Sequence, residues 1–207
     1  MHRRVICMLA IAALAGSACA SKKVLVPPRV DLTRYGTLGM IEFSSQGSDE
    51  LAKQASSRFM AVIQGAQPGV PILELGDAKA VLASLERDDL DHETIKAIGK
   101  KYGVDAVFIG EFSSQVAKPT LSVTSLRSLH AGADVEGVLS ARILQTRSGA
   151  TIWTNAARGK QSLASLNLAK GSLPDLSGQD LDTAESKLVR SLVTLLTGDF
   201  KSRWVKQ

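Results

Sequence analysis

The side chains that could do chemistry are few. Cys7 and Cys19 are the only thiols, and both lie within the first 19 residues. Everything after them is expected to hold no disulfide and no cysteine-ligated metal. A chain of this kind tolerates an oxidising compartment. Beyond the leader the only histidines are His92 and His130, and neither has a cysteine or acidic cluster at metal-ligand spacing. Both are expected to be exposed, His130 in a Ser/Gly-rich loop. The run DDLDHE, residues 88–93, groups four carboxylates with a histidine and could bind a cation weakly. It reads more simply as a solvated helix start, its charge favoured by the helix dipole. Glu42 and Glu111 fall late in two apolar segments, where acidic side chains could line a pocket above a sheet or form solvated strand ends. No nucleophile elbow, zinc helix, dinucleotide fingerprint or phosphate loop is present. The expectation is a non-enzyme with no catalytic residue, metal or cofactor, and with Glu42 and Glu111 as the candidate pocket.

Charge narrows the partners. The net charge is +5, of which Arg3 and Arg4 at the chain start supply two. The remaining +3 is too weak and dispersed to argue for nucleic acid. Clusters such as SKK and GKK fit solvated helix ends or lipid head groups.

The first 19 residues read as a signal peptide. MHRR is a basic start, and Val5 to Ala15 is an uncharged apolar run. That run is far short of the ~20 residues that span a bilayer. Two processing routes are open. Ala18-Cys19-Ala20 fits cleavage after small residues, releasing the chain. Gly16-Ser17-Ala18-Cys19 resembles a bacterial lipobox, with Leu14 two places ahead of the usual leucine. In a lipobox the cysteine receives a diacylglyceride and becomes the first mature residue. Palmitate-type acyl chains on Cys19 would anchor the protein firmly, at ~0.8 kcal/mol per buried CH₂. Ala20, where aspartate would signal inner-membrane retention, implies the periplasmic face of the outer membrane.

Behind the leader, residues 20–34 are expected to be a short Pro-containing tether. Its reach is at most ~50 Å, although VLV could pair at a sheet edge. Residues 35–207 are expected to form one α/β domain. Residues 35–45 read as a buried strand, Leu38 and Met40 on one face, Ile41 and Phe43 on the other. Ser48 caps a helix with its stripe on Leu51, Ala55, Phe59, Val62 and Ile63. GVPILEL is a short strand, and Pro71 argues for an edge or strand-start position. Asp77 and Asp91 cap two further helices, and Gly103 ends the second. Residues 104–112 are apolar on both faces, hence a central strand. Val135, Leu139, Ala141 and Ile143 alternate with polar residues in a half-buried strand, and a turn at Gly149 returns the chain antiparallel. Trp153 is expected to cover a sheet edge or helix. Residues 162–179 read as a loop. Its leucines Leu163, Leu166, Leu168, Leu173 and Leu176, together with Trp204, are the candidate partner-contact strip. Asp180 caps a final helix with its stripe on Leu181, Leu188, Leu192, Leu195, Leu196 and Phe200. The expected fold is βαβααβ followed by an antiparallel hairpin and a long C-terminal helix: one mixed sheet with packed helices.

These pieces carry a resemblance. GMIEF, KKYGVDAVFIGEF and ARILQTRSGATIWT, with the leader and the last helix, make residues 35–203 similar to a grouping of bacterial envelope lipoproteins. The grouping centres on the curli secretion channel subunit CsgG and the penicillin-binding-protein activator LpoB, and its domain resembles the N-terminal domain of TolB. The resemblance implies a non-enzymatic envelope lipoprotein that binds another envelope protein or copies of itself. Three further roles stay open. A subunit of a CsgG-like secretion assembly would need membrane hairpins of ~10-residue strands, for which residues 113–133 are the candidate. A peptidoglycan-synthase activator would need a longer tether. A small-ligand-binding periplasmic domain would need a deep pocket.

Overall fold

In the computed structural model, residues 22–116, 120–125, 128–132, 134–162, 166–167 and 178–206 are described. They fall into two units, residues 22–28 with 202–206 and residues 29–201.

The larger unit is organised by strand β5, Ala106–Val116. Its side chains up to Phe112 alternate between two cores. Ala106, Phe108 and Phe112 enter one cluster, Val107 and Ile109 the other. Such a strand must be covered on both faces. β5 pairs in parallel with β2, Leu38–Ile41, which in turn pairs in parallel with β4, Ile72–Gly76. On its other side β5 runs antiparallel to β8, Asp134–Gln145, and β8 antiparallel to β9, Thr151–Ser162. The order β4-β2-β5-β8-β9 is a mixed sheet with β4 at an edge directly after Pro71, as its proline requires.

Helix α1, Asp49–Ala66, and the long C-terminal helix α4, Gly178–Leu196, cover one face with the larger cluster. Helices α2, Ala78–Leu85, and α3, His92–Tyr102, cover the other around Val81, Ile95, Ile98 and Val107. The result is a single mixed α/β domain. Local chemistry sets the helix ends as expected. Ser48 Oγ accepts from Leu51 N at 3.4 Å, Asp77 Oδ1 from Ala80 N at 2.8 Å and Asp91 Oδ1 from Thr94 N at 2.8 Å. Gly103 closes α3 at φ 67°. Gly149 turns the β8–β9 hairpin at φ 75°, where an added Cβ would also lie 2.7 Å from His92 Cβ.

The structure departs from the sequence expectations at several places. The chain that opens with β2 slips after Ile41. Met40 pairs with Phe108, but Ser44, at the start of β3 (Ser44–Gln46), pairs with Glu111. Four steps on one strand thus match three on the other, which is the mark of a bulge. The extra residue reverses the alternation, so Phe43 joins the cluster of Leu38 and Met40 instead of the side taken by Ile41. Its ring fills the space above Gly110, whose added Cβ would lie 2.6 Å from it and 2.5 Å from Ser140 O. The backbone N–H of Phe43 is met by buried Ser56 Oγ at 2.8 Å, and that hydroxyl donates onward to Ala52 O.

Residues 29–34 are not tether. Leu32 is fully buried in a 3₁₀ turn, Leu32–Arg34, and belongs to the larger cluster. Residues 23–26 form a strand, β1. Helix α4 begins at Gly178, two residues before the expected cap at Asp180. Leu195 is 61% exposed; Ala184, Val189 and Val193 fill the face instead, beside Leu188, Leu192 and Leu196. His130 is not in a loop. Strands β6, Thr120–Ser125, and β7, Ser128–Gly132, form an antiparallel hairpin, joined by β10, Leu166–Asn167. His130 therefore sits in a strand, opposite Ser122 and Asn167.

The smaller unit is an antiparallel ribbon of β1, Lys23–Val26, and β11, Arg203–Lys206.

Candidate functional site

Glu42 follows the C-terminal end of β2, where the doubly wound rule places ligands, whereas Glu111 lies in the middle of β5, opposite Ser44 and Ser140. The structure does not bring them to one cavity. Glu42 lines a groove of about 190 Å³ with Met40, Lys53, Ser56 and Glu74, and borders a second of about 380 Å³ toward Asp49 and Asp77. Glu111 lines a separate groove of about 360 Å³ with Leu90, Arg142 and Thr154. Its carboxylate accepts a short hydrogen bond from Gln46 Nε2. Each groove is open and of mixed polarity.

His92 is largely exposed, with Nε2 3.3 Å from Glu93 Oε1. Glu93 also accepts from Lys96 Nζ at 2.9 Å. The DDLDHE run is thus a helix start: Asp91 caps α3 and Glu93 lies in its first turn. Among the described residues no group of three or more His, Cys, Asp or Glu could hold a metal ion.

Trp153 is a core residue. Its ring meets Phe200 edge-on at 4.7 Å, and Nε1 donates to Asp199 Oδ2 at 3.1 Å. Trp204 is the opposite case, 66% exposed on β11 and directly across from Leu25. Cys19 and Leu163, Leu168, Leu173 and Leu176 lie outside the described residues. Leu166 opens β10, with its backbone opposite Ala131. Strands β6 and β7 have six and five residues, short of the ~10 expected of membrane hairpins. Among the described residues no helix is long and apolar enough to cross a membrane.

Two arrangements were not read from sequence. One is the ribbon, whose register sets Lys23 against Lys206 and Leu25 against Trp204. The short apolar, strand-forming runs VLV and WV were its signal, but nothing local says that these segments meet. The other is Gln67, 7% exposed at the end of α1. Its Oε1 accepts from Leu32 N at 2.7 Å, and Nε2 donates to Val30 O at 2.6 Å and Phe200 O at 3.1 Å.

The titratable groups give a pH signature. The side-chain and backbone bonds from Thr33 hold Asp31 below the usual carboxylate range, and bonds from Thr94 do the same for Asp91. The bond from Lys96 lowers Glu93, and that from Ser162 lowers Asp134. Groups lowered in the folded state stabilise it fully above their unfolded values, near pH 4, and lose that contribution as the pH falls through the folded ones. Glu185 is raised, first by burial and then by Asp182. Its charge therefore opposes folding at neutral pH, and the penalty fades on acidification toward the unfolded value. Glu185→Gln is expected to raise folding stability at pH 7 by about 0.5 kcal/mol, as for a partly exposed site, read as a higher urea midpoint, and to leave the midpoint unchanged near pH 4. Equal shifts at both pH values would show that the charge is not the cause.

No protein-family model matches the chain, and no curated protein matches it. Solved structures do. PelC from Paraburkholderia phytofirmans, solved as a dodecamer, is 11% identical over 88% of this chain and 99% of its own, with TM-score 0.43. Lipoprotein GNA1162 from Neisseria meningitidis is 13% identical over 75% of this chain and 97% of its own, with TM-score 0.35. The C-terminal domain of LpoB from Escherichia coli is 14% identical over 63% of this chain and 87% of its own, with TM-score 0.36. LpoB is one of the proteins that the sequence resembles.

Proposed function

We propose that the chain is a bacterial envelope lipoprotein. Acyl chains on Cys19 hold it at the periplasmic face of the outer membrane, and its α/β domain is a non-enzymatic binding or assembly module. Its partner is another envelope protein or further copies of itself. The observation that carries the reading is the leader: a basic start, an apolar run from Val5 to Ala15, then Gly16-Ser17-Ala18-Cys19. Ala20 after the cysteine supports the outer membrane over the inner. The separation of Glu42 from Glu111 supports contact over chemistry, since the two candidate carboxylates share no cavity.

The mass of the mature N-terminus tests the anchor. Diacylated or triacylated Cys19 is the expected result, and an unmodified start at Ser21 would remove the anchor from the account. Cross-linking in intact cells followed by recovery of a tagged chain tests the role. Defined adducts with an envelope protein or a second copy are expected; a chain recovered without a protein neighbour would sink the module.

A further inference from the structure

We propose that the ribbon of β1 and β11 is a bilayer-docking element, whose Lys23, Leu25, Trp204 and Lys206 face lies on a surface of anionic phospholipid. The antiparallel register puts these four side chains on one face, because Lys23 stands opposite Lys206 and Leu25 opposite Trp204, and positions two apart in a strand share a side. Leu25 is 50% and Trp204 66% exposed. An isolated two-stranded ribbon is marginal in water, and this one leaves its largest side chain outside.

Charge identifies the occupant. Residues 22–28 and 202–206 carry Lys22, Lys23, Arg203 and Lys206 and no Asp or Glu. Two like charges directly opposite in a ribbon repel, so the Lys23–Lys206 pair weakens the ribbon unless an anion lies over it. A second copy of this ribbon would bring four more cations and no compensation. A phospholipid surface supplies what both halves of the face need: phosphates for the ammonium groups and an interfacial layer where a tryptophan ring is at home. The lysine stems reach along the apolar side chains while their heads stay in the headgroup layer. The arrangement goes beyond acylation and does not require it. With Cys19 acylated, the four residues to Lys23 span at most ~14 Å, which keeps the ribbon at the bilayer.

The test uses the protein as its host processes it, mixed with vesicles of phosphatidylcholine alone or with phosphatidylglycerol. Some of the lipid carries a nitroxide quencher near the headgroup. The chain holds two tryptophans, Trp153 and Trp204. Expected are a blue shift and quenching on the anionic vesicles, both absent in Trp204→Phe. In soluble chain, Lys23→Gln with Lys206→Gln lowers vesicle affinity about 30-fold, the effect of two basic residues at an anionic surface. If the native chain is acylated and membrane-bound yet Trp204 stays unquenched, the docking proposal is overturned while the anchor stands. If the chain is unacylated yet binds anionic vesicles through Trp204, docking stands without the anchor. Equal binding by the double glutamine variant, or protection of Trp204 by dimerisation or by a protein partner instead of lipid, would also overturn docking.

Discussion

Phe59→Ala is expected to cost about 3–5 kcal/mol of folding stability. Phe59 is fully buried on α1. Its ring meets Phe43 and Phe108 edge-on, both at 5.2 Å, and Phe200 at 6.3 Å. These partners come from the chain after the bulge, from β5 and from the turn after α4. One side chain therefore joins three parts of the unit that are distant in sequence. Edge-to-face pairs add about 0.5–1.5 kcal/mol each beyond the area they bury, and the surrounding backbone elements limit collapse into the void. Domains of this kind have about 5–15 kcal/mol in all, so the variant stands near the limit of folding. The measurement is urea unfolding followed by circular dichroism, with a lower midpoint and an unchanged slope. Phe59→Leu, which keeps much of the volume, is expected to lose clearly less. A loss below about 1 kcal/mol for alanine would show that the cluster is not the keystone described.

Gln67→Leu is expected to be nearly as damaging, about 2–4 kcal/mol, although it keeps the size and adds apolar surface. The reason is the groups left behind. Leu32 N–H, Val30 C=O and Phe200 C=O all meet this one amide. An unpaired buried donor or acceptor costs about 1–3 kcal/mol. Gln67→Glu isolates the effect: it preserves the acceptor for Leu32 N–H but turns the two donor contacts into carboxylate facing carbonyl. It should also destabilise, and more strongly at pH 7 than under acid, where a protonated carboxyl can donate. Chemical denaturation at two pH values reads this. A leucine variant as stable as the parent would mean that water replaces the amide.

The contrast between these two residues explains what was legible. Phe59 belongs to a 3.6-residue stripe, and a stripe is written locally. So are the caps at Ser48, Asp77 and Asp91, the left-handed glycines at 103 and 149, and the two-faced apolar run of β5. Gln67 sits in GAQPG, which reads as a turn, and its partners lie 35 and 133 positions away. The slip after Ile41 is equally silent. One extra residue against β5 moves Phe43 to the other core, and only the pairing register reveals it. In LVTLL two leucines compete for the same face of α4. Packing chose Leu196 and left Leu195 outside, a choice made by the neighbours of the helix and not by its own pattern. Glu42, Glu111 and Trp204 stand out in the sequence by type and place, but which groove or face each joins depends on register between distant strands.

The backbone bond from Val30 N to Asp199 O, 3.1 Å long, has a kinetic meaning. Lys23 and Lys206 are 183 positions apart, and closing a flexible loop of that length costs about 4–5 kcal/mol in chain entropy, against about 1 for a turn of a few residues. Once residues 29–201 are folded, that bond and the Gln67 amide hold Val30 beside Asp199 and Phe200. Val30 and Asp199, each a few residues from a ribbon strand along the chain, are then neighbours within the folded unit. Zippering of the ends becomes a short-range event that must wait for synthesis and folding of everything between them. Whatever contact the paired ends make is therefore offered only by a finished molecule.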